Sequence, residues 1–185
     1  MPADPVGPNE FHPVAHPVQS VSDAVAEAQS IRYGFSGSRH LDERGRTVVA
    51  STLASRFKAV PAHCEFTTGV CVGVDSFAGQ WLWRFVLHGR HRVIVPADRS
   101  HVDWWWTHRA IREAEGDSGV EVIEMPSGTT YRDRNVRIVE YSDRLLAFPE
   151  HGEDDPRSAR SGTWQTIRLA EHYGVPVEVR VLDQV

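Results

Sequence analysis

Three short segments of this 185-residue chain combine glycine with hydroxyl or guanidinium groups in a way that suits an anion. In Tyr33-Gly34-Phe35-Ser36-Gly37-Ser38-Arg39, Gly37 permits close backbone approach, Ser36 and Ser38 offer hydroxyls, and Arg39 can fork onto a phosphate. A purely structural turn has the same composition. In Thr67-Thr68-Gly69-Val70-Cys71-Val72-Gly73-Val74-Asp75, a glycine-containing loop leads into a helix whose free amides would attract phosphate, whereas the Asp75 carboxylate would repel it. Asp75 therefore either caps that helix or takes a ribose hydroxyl. Ser161-Gly162-Thr163 opens a further helix with two hydroxyls and free amides, suited to a phosphate or ribose oxygen or, more simply, to a serine N-cap. In Arg132-Asp133-Arg134-Asn135, Arg134 can neutralise a phosphate and Asn135 can donate and accept, while Asp133 is expected to be solvated or paired with an arginine. A solvated helix face is the other reading of that stretch.

These segments need a scaffold that brings them together. From Ile31 onward, short β-rich runs alternate with helix-length amphipathic segments, the pattern of a layered α/β domain with a mostly parallel sheet. Six strands are predicted: Ile31 to Phe35, Glu65 to Thr68, Arg92 to Pro96, Val120 to Met125, Arg144 to Phe148 and Val175 to Val181. Val49, Leu53, Phe57 and Val60 form one apolar stripe on a helix over about 42–59. A second helix is expected over about 75–88 with Asp75 as its N-cap, a third from near Thr107, a fourth over about 130–141, and a fifth from Gly162 to Tyr173, stopped by Gly174 and Pro176. Right-handed crossovers then give a single Rossmann-like three-layer sandwich, in which ligands sit beyond the carboxyl ends of the strands.

Composition bounds the alternatives. With 41% hydrophobic and 24% charged residues, the chain reads as a globular protein large enough to fold without disulfides or structural metal. Residues 1–28 hold five prolines and little apolar periodicity, so a flexible tail is expected there, with the domain over 29–185. His12 and His16 in that tail are too few for a metal site, and no metal is expected elsewhere. Cys64 and Cys71 are expected as reduced thiols. No apolar run approaches the roughly 20 residues of a membrane span, and the N-terminus lacks a secretory layout, so a cytoplasmic location without membrane contact is expected. Twenty basic residues, all but Lys58 arginine, face 25 acidic ones, and the net charge of -5 disfavours a broad grip on nucleic-acid backbone while leaving room for a local basic pocket.

In their order and spacing, Phe35-Ser36-Gly37-Ser38-Arg39, then Gly69 through Gly73-Val74-Asp75, then Arg134-Asn135, Ser142 to Phe148 and Ser161-Gly162-Thr163 resemble a superfamily of Rossmann-like nucleotide binders. It contains the DNA-processing protein A (Smf) family, the lonely-guy or lysine-decarboxylase-like phosphoribohydrolases and the YspA-like proteins, and the match over about 31–182 is best with the YspA-like and Smf-like branches. The resemblance implies a pocket for a nucleotide or nucleotide-derived small molecule, with no separate cofactor, lined by Gly37, Ser38, Arg39, Gly73, Asp75, Arg134, Asn135, Ser161, Gly162 and Thr163. Where the phosphoribohydrolases carry glutamates after their glycine-rich turn, this chain has Gln165 and Thr166, so a carboxylate for an oxocarbenium-like transition state would have to come from Glu140, Glu150 or Asp75.

The first expectation is a protein that recognises a phosphorylated nucleoside or an ADP-ribose-like ligand, as a sensor or in nucleotide metabolism. An N-glycosidic hydrolase or transferase and a single-stranded DNA binder are the alternatives. For the last, Arg90, His91, Arg92, Arg99 and His101 stand in sequence near Trp104, Trp105 and Trp106, but three consecutive tryptophans cannot all face one ligand, and some must enter the core or a homo-oligomer interface. The polar run from Glu150 to Arg160 is long for a connection and reads either as a lid or as a solvated excursion.

Overall fold

The computed structural model describes residues 30–57, 64–86, 89–116 and 119–184. The proline-rich segment with His12 and His16 lies outside these residues, as do Lys58 to Val60 at the predicted end of the first helix.

Six strands form one sheet: β1 (Arg32–Gly37), β2 (Glu65–Gly69), β3 (Arg90–Val95), β4 (Val120–Glu124), β5 (Arg144–Phe148) and β6 (Val177–Val179). Their order is β4-β3-β2-β1-β5-β6, and every pairing is parallel. The helices are α1 (Glu43–Phe57), α2 (Val74–Phe85), α3 (Trp104–Ala114), α4 (Tyr131–Glu140) and α5 (Gly162–His172), joined by a 3-10 turn at Pro156–Arg160 and another at Leu182–Gln184. The expected Rossmann-like three-layer α/β sandwich is what the chain adopts.

Alternation along the strands explains the layers, because successive side chains leave opposite faces of a sheet. Phe35, Phe66, Leu146 and Phe148 pack with Val49, Leu53 and Phe57 of α1 and with Ala78 and Leu82 of α2. On the same face, Val93 and Val95 meet Trp106 and Ala110 of α3. The neighbouring positions Ile94, Leu145 and Ala147 point the other way, onto Ile138 of α4 and Trp164 and Ile167 of α5. One face thus carries α1 to α3, the other α4 and α5.

Local differences from the sequence reading are instructive. β1 runs two residues past Phe35 because Ser36 and Gly37 pair with Ala147 and Phe148 of β5. β6 is only three residues long, since Leu145, Leu146 and Ala147 offer it just three partners. α2 begins at Val74 with Gly73 at its N-cap, so Asp75 sits inside the first turn and does not cap it. α3 begins at Trp104 and not near Thr107, because the Asp103 side chain accepts from the Trp106 N–H and caps it.

The strand order contains one reversal. Connections through α1, α2 and α3 carry the chain outward from β1 to β4, and α4 then returns it to β5 on the other side of β1. Beyond the carboxyl ends of β1 and β5 the loops diverge to opposite faces, and that crevice is where α/β sheets hold ligands.

Candidate functional site

The crevice is occupied by a cavity of about 540 Å³, within the range of small-molecule sites. Its walls come from the end of β1 (Ser36, Gly37) and the loop after it (Ser38, Arg39, His40), from Cys71 and Asp75, from the first turns of α4 (Tyr131, Arg134, Asn135) and from the stretch Glu150 to Gln165. Nine of the ten residues singled out from sequence therefore converge on one hollow. Gly73 is the exception. It stands at φ 95°, and a side chain there would strike the Ser38 carbonyl and the Arg39 backbone, so its work is to let the β1 loop lie against the start of α2. The Val74 N–H donates to the Ser38 carbonyl across that contact.

Arg134 and Asp75 are present but not as expected. Both are buried, and Arg134 donates to Asp75 Oδ2 at 2.7 Å and to Cys71 Sγ at 3.0 Å. Burial works against the guanidinium's charge, yet Asp75 beside it, with Cys71 and Tyr131, tips the balance and its pKa lies above the ordinary value. Asp75 Oδ1 also accepts the Gly37 N–H at 3.3 Å. The ion pair has no net charge and braces the floor of the cavity, with the Arg134 charge spent on Asp75. Gly69 makes the pair possible, because a Cβ there would stand 2.5 Å from both the Arg134 guanidinium and the Asp75 carboxylate. Burial likewise pushes the Cys71 thiol upward, partly offset by Arg134, and both cysteines are free.

The polar groups with no protein partner are the informative ones. Ser36, Asn135 and Thr163 are 4%, 6% and 5% exposed, all line the cavity, and among the described residues no hydrogen bond reaches their side-chain hydroxyl or amide groups. Among the described residues the buried side-chain atoms without a partner are Trp106 Nε1, Arg109 Nε and Arg134 Nε, so the hydroxyl and amide groups of Ser36, Asn135 and Thr163 open onto the hollow, where they are available to a ligand. The start of α5 adds to this. The Ser161 hydroxyl caps the helix through the Trp164 N–H, and the Gly162 and Thr163 amides ahead of it find no acceptor among the described residues. Arg39, Arg157 and Arg160 are exposed at the walls, with Arg157 held by Asp155 and Arg39 lying 5.0 Å over the Tyr131 ring.

Sequence reasoning named Glu150 only as one of three possible carboxylates, without selecting it, and passed over His151 as a site residue. Glu150 lies two residues past the end of β5, a central strand, and that placement was the available signal. Its Oε2 accepts from the Ser38 hydroxyl at 3.1 Å, and His151 is held by Asp183 through Nδ1 at 2.8 Å. Of the three carboxylates weighed for glycosidic chemistry, Asp75 is paired, Glu140 is paired with Arg137 away from the cavity, and only Glu150 is a wall residue without a salt-bridging arginine. The run Glu150 to Arg160 forms a wall: Trp164 Nε1 donates to the His151 carbonyl, and the Ser158 hydroxyl to that of Glu153.

The basic and aromatic cluster near the tryptophans divides. Arg90, His91 and Arg92 lie at the amino end of β3, from about 16 Å (Arg90) to about 10 Å (Arg92) along the strand from Val95, and α3 starts beyond that carboxyl end. Arg92 and Arg99 pair with glutamates. Trp106 is buried, whereas Trp104 and Trp105 are 53% and 60% exposed. No group of three or more metal-ligating side chains occurs among the described residues, and no helix there is long and apolar enough to cross a membrane.

No family model and no curated protein matches the chain. Among solved structures it is similar to DNA processing protein A from Streptococcus pneumoniae, with a TM-score of 0.56 at 16% identity over 83% of this chain and 51% of that one. The chain thus spans about half the length of the structure it matches, and the likeness establishes a shared Rossmann-like fold.

Proposed function

We propose that the chain binds a phosphorylated nucleoside in the crevice between the β1 and β5 loops. The observation that carries this reading is that Ser36, Asn135 and Thr163, largely buried residues, turn polar groups that no protein group takes toward one cavity. The Gly162 and Thr163 amides at the positive end of α5 suit the phosphate, with the exposed Arg39, Arg157 and Arg160 at the walls. Asn135, which both donates and accepts, suits a base edge or a sugar hydroxyl.

A thermal-shift screen over mononucleotides, dinucleotides, ADP-ribose and cyclic nucleotides tests the proposal. A nucleotide is expected to raise the melting temperature, and Arg39→Ala to abolish that rise. The variant's own melting temperature should stay close to that of the native chain, because an exposed arginine over a tyrosine ring contributes about 0.5–1 kcal/mol. A much lower apo melting point would make Arg39 structural. Chromatography of the same mixtures is expected to return intact nucleotide, and released base would move the chain into the hydrolase class.

Single-stranded DNA is the second reading. It draws on the similarity to a protein named for DNA processing, and on Tyr131 at the rim with Arg39 at 5.0 Å and the His101 ring at 6.1 Å. A salt-dependent gel shift would support it. The acidic balance and the pairing of Arg92 and Arg99 weigh against it.

A further inference from the structure

The cavity wall carries one carboxylate whose hydrogen-bonding capacity the protein leaves largely unused, and that sets a chemical condition on the ligand. The Ser38 hydroxyl oxygen accepts the His40 N–H at 3.0 Å, which leaves its proton for Glu150 Oε2 at 3.1 Å. The other oxygen, Oε1, stands 3.6 Å from His151 Nε2, outside hydrogen-bond range, while Nδ1 of that ring is held by Asp183. An ionised carboxylate accepts only, with about four lone-pair directions, so Glu150, its side chain 44% exposed, offers acceptor positions that no protein group takes at the wall of a hollow also lined by Ser36, Asn135 and Thr163.

A phosphate placed there would be repelled. A vicinal pair of hydroxyls would be held, because each can donate to one carboxylate oxygen. We infer that Glu150, fixed by Ser38 and flanked by the Asp183-held His151, reads the ribose diol, and that the site selects ribonucleotides over 2′-deoxyribonucleotides. This rests on the nucleotide reading above and names the sugar it takes. It also separates that reading from DNA binding, since DNA lacks one of the two donors and brings phosphates toward the carboxylate.

The experiment compares binding of the common ribonucleoside 5′-monophosphates with their 2′-deoxy counterparts by calorimetry on the full chain. Sites built to hydrogen-bond a hydroxyl reject analogues that lack it, so a ribonucleotide is expected to bind at least about tenfold more tightly than its deoxy form. Glu150→Ala should bring that ratio to about one through loss of ribonucleotide affinity, with deoxynucleotide affinity unchanged or improved. Glu150→Gln, which keeps the side chain's volume and one acceptor, should give an intermediate ratio and serves if the alanine variant fails to fold. Equal affinities in the native chain, or a ratio unaltered in both variants, would overturn the inference while leaving nucleotide binding standing. Failure of every nucleotide to bind would overturn the nucleotide reading and this inference with it.

Discussion

At the scale of single residues, the buried pair Arg134–Asp75 shows how a side chain suited to one task is taken up by another. Both were expected to touch a ligand, and both face the cavity, but each spends its charge on the other. Removing one partner leaves an uncompensated charge in the interior, so Asp75→Ala should lower the unfolding free energy by about 3–5 kcal/mol in a urea titration. It would also release the Gly37 N–H that Asp75 accepts. Replacing both residues by apolar ones, as in Asp75→Leu with Arg134→Met, should recover much of that loss, since the pair's attraction is set against two desolvation penalties. A double variant no more stable than Asp75→Ala would show that the floor needs these particular hydrogen bonds. Sequence alone named Arg134 and Asp75 as candidates and both line the cavity, yet their mutual contact spans 59 positions and depends on the missing side chain at Gly69, a coincidence in space that no local pattern encodes.

At the scale of elements, legibility follows how local the cause is. The stripe Val49, Leu53 and Phe57 predicts α1 because a helix repeats its faces every three or four residues, and those positions are buried as expected. The start of α3 was missed for a physical reason: Trp104 and Trp105 look like core residues but stand exposed in the first turn, and the cap that fixes that turn is Asp103. The sheet order was not legible, since the length of the α4 segment does not say which side of β1 the returning strand will take. The cap at α4 has a functional bearing, because it sets the turn that carries Arg134 and Asn135. There the Thr130 hydroxyl accepts the Asp133 N–H while the Asp133 carboxylate, held below its usual range by the Thr130 N–H and hydroxyl, accepts the Thr130 N–H. Thr130→Ala should cost about 1 kcal/mol in chemical denaturation and reduce the nucleotide-induced thermal shift, whereas Thr130→Ser, which keeps the oxygen, should do neither.

At the scale of the whole molecule, the two ends of the sheet divide the labour. The carboxyl end carries the cavity, while the amino end is where His91 is sealed on β3, its ring 5.3 Å from that of Phe66 and its Nε2 3.4 Å from the Val86 carbonyl. Burial makes the charged imidazole unfavourable, only partly offset by that carbonyl, and lowers its pKa from 6.5 to about 4. The folded chain therefore binds this proton less readily than the unfolded chain. The contribution to stability is fully present above the unfolded value of 6.5 and is lost as pH falls toward 4. At about pH 5 the unfolded histidine is almost wholly protonated and the folded one almost wholly neutral, a difference of about 2 kcal/mol relative to neutral pH. Urea titrations at about pH 7.5 and about pH 5 should show that loss, and His91→Gln, uncharged at both, should remove most of the difference between them while lowering stability at the higher pH. A pH dependence as steep in the glutamine variant as in the native chain would place the acid sensitivity elsewhere, in carboxylates such as Asp143, whose pKa the Arg32 hydrogen bond depresses and whose contribution fades only at still lower pH.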